Sequence, residues 1–113
     1  MAEWVLIEGN EEQNAYANPA TYEKIGDKVT MWSMIDLRKA ARLSDGKLFL
    51  SWKSQYDFDC KERKSRLLVA SMHAGNMGNG EVTNRLDFES PEWEAVLSAS
   101  KGEALWKFAC KKR

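Results

Sequence analysis

The sequence predicts an α+β fold, in which a single antiparallel sheet of about five to six strands carries a C-terminal helix packed on one face. Three observations lead to this prediction. Apolar and polar side chains alternate along residues 47–61, which is the period of a half-buried strand. Several strand-like segments are joined by short turns, which favours antiparallel neighbours. The last apolar pattern has helical spacing, and an α+β architecture buries both kinds of apolar face.

The start of the chain predicts two strand segments separated by a polar loop. Residues 4–7 are aromatic, aliphatic and β-branched, which suits a strand, and residues 9–14 are polar and indicate a loop. Residues 16–19 end in Pro19. Because proline cannot donate a ladder hydrogen bond, we expect a strand end or an edge strand there.

The middle of the chain predicts two long neighbouring strands. Residues 28–37 carry bulky side chains on both faces, which indicates a central strand covered on both sides. Residues 38–46 are polar and end in a turn signal, so we expect a connection there. A strand over residues 47–61 would exceed about 40 Å at about 3.4 Å per residue, so a bend or bulge is expected.

The next segment predicts a hairpin with a glycine-rich turn. Residues 63–73 indicate a strand centred on three aliphatic side chains. Residues 75–80 contain three glycines and predict a flexible turn. Residues 81–88 then return as an antiparallel strand.

The end of the chain predicts helix. Residues 90–97 open with a serine–proline pair, which favours one helical turn. Residues 98–110 predict the main helix, with Ser100 as N-cap and Glu103 three residues later, as in a capping box. Its apolar residues share one face.

Composition excludes several classes of protein. The 113 residues fit one domain, over residues 1–113, and the 43% hydrophobic content is too high for a disordered chain. No apolar run reaches the roughly 20 residues of a transmembrane segment. The 17 basic and 17 acidic side chains balance, so bulk charge draws the chain to neither nucleic acid nor anionic membrane. One histidine and two cysteines cannot complete a four-ligand His/Cys zinc site.

The beginning of the sequence shows no secretory signal, which would need basic residues and then about 7–15 apolar ones. Two interpretations follow. Either the protein is cytosolic, or a targeting segment is absent from this chain. The cysteines bear on this choice.

The two cysteines are predicted to meet at the contact between sheet and helix. Cys60 ends the apolar face of the longest predicted strand, and Cys110 ends that of the helix. Two reduced core cysteines are the alternative, and the spacing alone leaves both open. The coincidence of the two faces favours a bridge, which would stabilise the fold by about 4 kcal/mol in the chain-entropy model. A bridge would also imply an oxidising compartment.

The order and spacing of several segments resemble the bacterial surface-adhesin protein E family. The resemblance extends from Trp4 to Cys110. The segments that carry it are Trp4, residues 16–19, 29–36, 56–61, 63–66 and 77–80, Trp93 and residues 105–110. The chain departs from the pattern at Asn18, where an aspartate is expected before proline, and in lacking an exported or lipidated N-terminus.

The resemblance implies an exported bacterial protein with an antiparallel sheet folded over a helix. It also implies a disulfide between Cys60 and Cys110. The family's namesake is a surface adhesin that binds host extracellular proteins. The expected location is therefore the periplasm, the outer membrane surface or the medium.

The sequence offers little for catalysis. His73 is the only histidine; it lies beside the glycine-rich turn and is expected to be solvated. Ser71 lies two residues away, too far for a hydrogen bond without rearrangement. Asp57 and Asp59 share one face about 7 Å apart at the Cα atoms, and we interpret them as solvated surface rather than an acid–base pair.

We expect no cofactor, with one alternative kept. His73 and Met77, with Met72, are residue types that ligate haem iron or copper. Neighbouring strand residues point to opposite faces, and methionine is more often a packing residue. A small envelope protein with a structural role or a haem- or metal-binding role is thus the alternative to a binding module.

A basic cluster is the candidate binding patch, and it comprises Lys61, Arg63, Lys64 and Arg66. The predicted disulfide would bring it near the basic tail at residues 111–113. Residues 1–60 hold 7 basic and 10 acidic groups, whereas residues 61–113 hold 10 and 7. This asymmetry suits a polyanion or an acidic protein as partner, although ordinary surface is the alternative. No recognised nucleic-acid motif accompanies the cluster.

The sequence therefore predicts a non-enzymatic, exported binding module for a protein or polyanion ligand, acting through a sheet face or a strand edge. Six large aromatic side chains are too many to fit easily inside one sheet with one helix: Trp4, Trp32, Trp52, Tyr56, Trp93 and Trp106. Some are therefore expected to form an exposed patch for a partner or for dimerisation, and the alternative is that large rings compensate for a thin core. The chain is expected to be a monomer or a homodimer.

Overall fold

The computed structural model describes residues 4–111. Seven strands precede one α-helix among these residues. The strands are β1 Val5–Gly9, β2 Gln13–Ile25, β3 Lys28–Arg42, β4 Leu48–Asp59, β5 Lys64–His73, β6 Val82–Asp87 and β7 Glu94–Ala95. A 3-10 helix spans Asn76–Gly78, and the helix α1 spans Lys101–Lys111.

The strands form one sheet in which β1 to β6 each pair with the next strand along the chain. The order is β1-β2-β3-β4-β5-β6, and every pairing is antiparallel. The two-residue β7 pairs with the other end of β5, at Lys64 and Ser65. This arrangement confirms the predicted antiparallel sheet with a C-terminal helix.

The core lies between the sheet and α1. Val29 faces Phe58, and Met31 faces Tyr56, across the β3–β4 pair. Val29, Met31 and Phe58 are almost fully buried, and Leu105 and Ala109 of α1 belong to the same cluster. Because these strand positions alternate with polar ones, one face of each strand supplies the core.

The opposite face of the sheet is covered in part by residues 75–80, which we call the glycine loop. Asp36 Oδ1 accepts hydrogen bonds from the Met77 N–H at 2.8 Å and the Asn76 amide at 3.0 Å. Ser51 donates to the Gly75 carbonyl at 2.7 Å and accepts from the Gly78 N–H at 2.8 Å. The expected flexible turn is therefore tied to β3 and β4, and β3 is central and covered on both faces as predicted.

The helix begins as predicted. The Glu103 N–H donates to Ser100 Oγ at 3.1 Å, and the Glu103 carboxylate accepts from the Ala99 N–H at 2.9 Å. The second bond goes to the residue before the cap rather than to the cap itself. Leu105 and Ala109, four residues apart, then face the sheet.

The prediction of a strand end or edge at Pro19 is wrong. Pro19 lies inside β2, an inner strand. Pairing with β3 is interrupted between Asn18 and Glu23, and pairing with β1 stops at Ala17. The proline thus occupies a bulge where no ladder bond is required of it.

Two other local predictions are wrong. Residues 38–42 continue β3 rather than forming a connection, because Ala41 and Arg42 pair with Phe49 and Leu48 after a register shift. Residues 94–95 form β7 rather than part of a helical turn. In both places strand pairing overrides the local preference: residues 41–42 pair with the following strand β4, and residues 94–95 pair with β5, about thirty residues earlier.

Within residues 4–111, no helix has the length and apolar character needed to cross a bilayer.

Candidate functional site

A disulfide joins the end of β4 to the end of α1. The Cα atoms of Cys60 and Cys110 lie 5.5 Å apart, and the bridge spans 50 positions of sequence. Both cysteines pack against the core cluster. The predicted bridge is confirmed, and it holds the helix on the sheet.

Asp59 organises the turn that follows β4. Its side chain accepts hydrogen bonds from the N–H groups of Lys61 and Glu62, each at 3.0 Å, and its carbonyl accepts from the Trp106 indole at 2.9 Å. The Glu62 N–H, then that of Lys61 and the Lys28 charge, lower the pKa of this carboxyl. The interpretation of Asp59 as solvated surface is wrong, since it is buried and caps a turn.

Arg63 is engaged within the molecule. Its guanidinium pairs with the Glu103 carboxylate and lies 5.2 Å from the centre of the Trp106 ring. The Ala99 N–H and then Arg63 lower the pKa of Glu103. One side chain thus connects the β4–β5 turn to the first turn of the helix.

Arg66 is engaged in the same way. It pairs with Asp57 at 3.0 Å and lies 4.4 Å from the centre of the Trp93 ring. Thr30 also donates to Asp57, so this carboxylate is a structural acceptor rather than solvated surface. Lys64 is exposed at the start of β5.

The predicted patch of four basic residues is thus divided. Two guanidiniums are already paired with carboxylates, whereas Lys61 and Lys64 are exposed and form no ion pair among the described residues. Its role as a ligand patch stays a prediction. Lys111 belongs to α1, and residues 112–113 of the expected tail lie outside the described residues.

His73 is buried, so the prediction of a solvated histidine is wrong. The residue is 6% exposed, and Nε2 lies 2.9 Å from Ser71 Oγ. The expected separation from Ser71 is therefore also wrong, because the two side chains share a face at a register shift between β5 and β6. Burial, and then the Lys53 charge, lower the pKa of His73.

Met77 sits in the glycine loop in a left-handed backbone conformation, with φ of 56°. Its N–H is bound to Asp36, as described above, and its side chain is partly buried. Among the described residues, no group of three His, Cys, Asp or Glu side chains is arranged to hold a metal ion. The haem or copper alternative at His73 and Met77 stays a prediction.

A cleft of about 560 Å³ lies beside the disulfide, between β2 and α1, and we call it the basic cleft. Four lysines and one aspartate line it: Lys24, Lys61, Lys107, Lys111 and Asp27. Tyr22 and Trp106 contribute aromatic walls. Of the residues lining this cleft, the predicted patch included Lys61, and the basic tail expected beside that patch included Lys111. Lys107 and Lys111 are four residues apart and therefore share a helix face, and this spacing is the sequence signal that indicates a second group of lysines near Lys61.

The second surface is the outer edge of β6, the last strand of the main sheet order. Val82 and Leu86 are 52% and 40% exposed, and Phe88, just after the strand, is 43% exposed. The exposed apolar side chains at this edge are thus two aliphatic residues and one phenylalanine. The five tryptophans and Tyr56, some of which were expected in an exposed patch, are all only partly exposed.

Two solved structures of Haemophilus influenzae protein E share this fold. One, from a non-typeable strain, is 12% identical, with a TM-score of 0.65 and coverage of 94% of this chain and 75% of that chain. Another crystal form is 9% identical, with a TM-score of 0.66 and coverage of 98% and 96%. Likeness at these identities concerns the fold alone. No curated protein sequence matches the chain.

The fold defines a domain in which one antiparallel sheet and one helix are joined by a disulfide. The chain belongs to the surface-adhesin protein E family, whose sequence pattern it matches over residues 4–111. The resemblance drawn from the sequence is confirmed.

Proposed function

We propose that this chain is an exported, non-enzymatic binding module that holds an extended segment of a protein ligand along the free edge of β6. Membership of a surface-adhesin family supports an adhesive role. The edge itself carries the proposal, because an unpaired strand edge is a template for an added strand.

The backbone of β6 offers hydrogen-bonding groups to a partner. The Phe88 N–H donates inward, to the Leu68 carbonyl of β5, at 2.9 Å. Because successive residues alternate across an antiparallel ladder, the N–H and carbonyl of Asp87 point to the free edge. The Arg85 N–H, which has the same orientation, bonds the Asn84 side chain at 2.9 Å.

Side chains at this edge suit a protein partner. Val82, Leu86 and Phe88 are exposed, so an added strand would remove their apolar surface from water. β6 also contains neither lysine nor proline, the residues that often block edges. The helix α1 contacts β1, the strand at the opposite edge of the sheet. This contact favours β6 as the more accessible edge.

Export is supported by the disulfide and by the family. Structural disulfides persist in oxidising compartments and are rare in the cytosol. A non-enzymatic role is supported by the environment of Ser71 and His73. This serine–histidine pair is buried, and no carboxylate bonds the histidine among the described residues.

The binding test uses two variants at one position. Asp87→Pro removes the outward N–H and leaves the inward ladder bonds, whereas Asp87→Ala removes the same side chain and keeps the N–H. Both lose the exposed pair between Arg85 and Asp87. We expect Asp87→Pro to weaken binding to immobilised fibronectin or collagen at least about tenfold, equal to about 1.4 kcal/mol, and Asp87→Ala to bind like the wild type.

Surface biosensor measurements at several concentrations would provide the dissociation constants, with thermal melts confirming that both variants fold. Ile25→Lys, at an 81% exposed position in the β2–β3 hairpin, controls for loss of exposed apolar surface elsewhere. Equal binding by the proline and alanine variants, or a wild type that binds no matrix protein, would refute the β6 proposal.

A further inference from the structure

We propose that the basic cleft binds a sulfated saccharide, at a site separate from the β6 edge. The cleft is lined by four ammonium groups and one carboxylate. Lys24, Lys61 and Lys111 form no ion pair with any described residue, and Lys107 lies 4.0 Å from Glu103. The positive charge of the cleft is therefore largely available to a ligand.

The lysines converge from separate parts of the fold. Lys24 comes from β2, and Lys61 comes from the turn that Asp59 fixes after β4. Lys107 and Lys111 lie four residues apart on α1, where like charges repel. The disulfide holds strand and helix together here, so these charges are gathered before any ligand arrives.

Part of the cleft lining is aromatic and apolar. The Trp106 ring is fixed by its indole bond to the Asp59 carbonyl and by Arg63 on the ring. Tyr22 and Val29 complete the apolar lining. A fixed aromatic face can pack against the C–H face of a sugar ring, while the surrounding lysines reach its charged substituents.

Sulfates match this site better than the carboxylates of an acidic peptide. Lysine presents a compact point charge, whereas arginine supplies the planar fork that binds carboxylates in pairs. Arg63, which lies over the Trp106 ring, is already paired with Glu103. A volume of about 560 Å³ lies within the ordinary range of ligand sites.

Isothermal titration with a heparin-derived hexasaccharide tests the proposal. Lys61→Gln combined with Lys111→Gln is compared with Lys39→Gln combined with Lys47→Gln, which removes equal charge from exposed lysines outside the cleft. We expect the cleft variant to bind at least about tenfold more weakly and to lower the salt slope of log K by about 2. The control variant and the melting temperatures should stay near those of the wild type.

Three outcomes would overturn the proposal. One is equal weakening by the cleft and control variants, which would mean non-specific charge attraction. Another is undiminished binding of the desulfated hexasaccharide. The third is a glutamate-rich peptide of equal charge that binds as tightly as the saccharide, which would make the cleft an acidic-protein site. Failure of the β6 test would leave these measurements unaffected, since Asp87 does not line the cleft.

Discussion

His73 shows how a single buried side chain can make the fold sensitive to acid. Nε2 is bonded to Ser71, while Nδ1 is buried and has no hydrogen-bond partner among the described residues. Burial and the Lys53 charge lower its pKa, so the folded state favours the neutral ring. The unfolded chain takes up a proton near its ordinary pKa of about 6.5. Below that pH the unfolded state holds more protons than the folded state, so the free energy of unfolding decreases as the pH is lowered.

We predict that the melting temperature falls as the pH is lowered from 7.5 through 6.5 to 5.5, and that His73→Gln flattens this dependence. Circular dichroism melts of both proteins at these pH values would provide the comparison. Asp59 and Glu103, whose pKa values are lowered, lose their stabilising contribution only at still lower pH. They therefore do not contribute to the change between pH 7.5 and 5.5. A variant as acid-sensitive as the wild type would contradict the prediction.

Residue types alone do not indicate which basic groups are available. The cluster of Lys61, Arg63, Lys64 and Arg66 is evident in the sequence, but its arginines meet Glu103 and Asp57 only after folding. The basic cleft depends equally on distant partners, because Lys24 and Lys107 are brought together by the packing of α1 on β2. Such charge pairings are set by the fold rather than by neighbours in sequence.

At the level of elements, the strength of the local pattern decides which structures are predictable. β4 and α1 show clear periods because one face of each meets the core, whereas β3 is predictable from bulky side chains on both of its faces. β2 has a proline and a bulge, and β7 has only two residues held by β5. The glycine loop takes its place from Asp36 and Ser51, which precede it by more than twenty residues. Because these partners are far away in sequence, local propensity does not predict them.

The N-terminal cap of α1 gives a prediction for one element. Ser100→Ala removes the hydroxyl that accepts from the Glu103 N–H at 3.1 Å and donates to the Leu97 carbonyl at 2.6 Å. We expect a loss of about 1 kcal/mol in the free energy of unfolding, measured by urea denaturation. Ser98→Ala is the matched control, because Ser98 is exposed and has no side-chain hydrogen bond among the described residues. Equal losses in the two variants would contradict the cap assignment.

For the whole molecule, the disulfide joins two parts that otherwise share limited contact. α1 buries mainly Leu105 and Ala109, whereas the sheet is continuous through its hydrogen-bonded ladders. The disulfide holds the C-terminal end of the helix, and the ion pair between Arg63 and Glu103 holds its first turn. The helix is thus fixed at both ends, and the basic cleft lies between the helix and β2.

Replacing both cysteines by alanine should therefore lower stability and loosen the helix before the sheet. Closure of a loop of 50 positions contributes up to about 4 kcal/mol in the chain-entropy model, so we expect a loss of about 2–4 kcal/mol in urea denaturation. Hydrogen exchange should show reduced protection in α1, while β3 and β4 keep theirs, because their ladders do not involve the bridge. Addition of reductant should lower the free energy of unfolding of the wild type to about that of the variant, and it should leave that of the variant unchanged. Uniform loss of protection across sheet and helix would show instead that the molecule opens as one unit and that the staple acts on the whole fold.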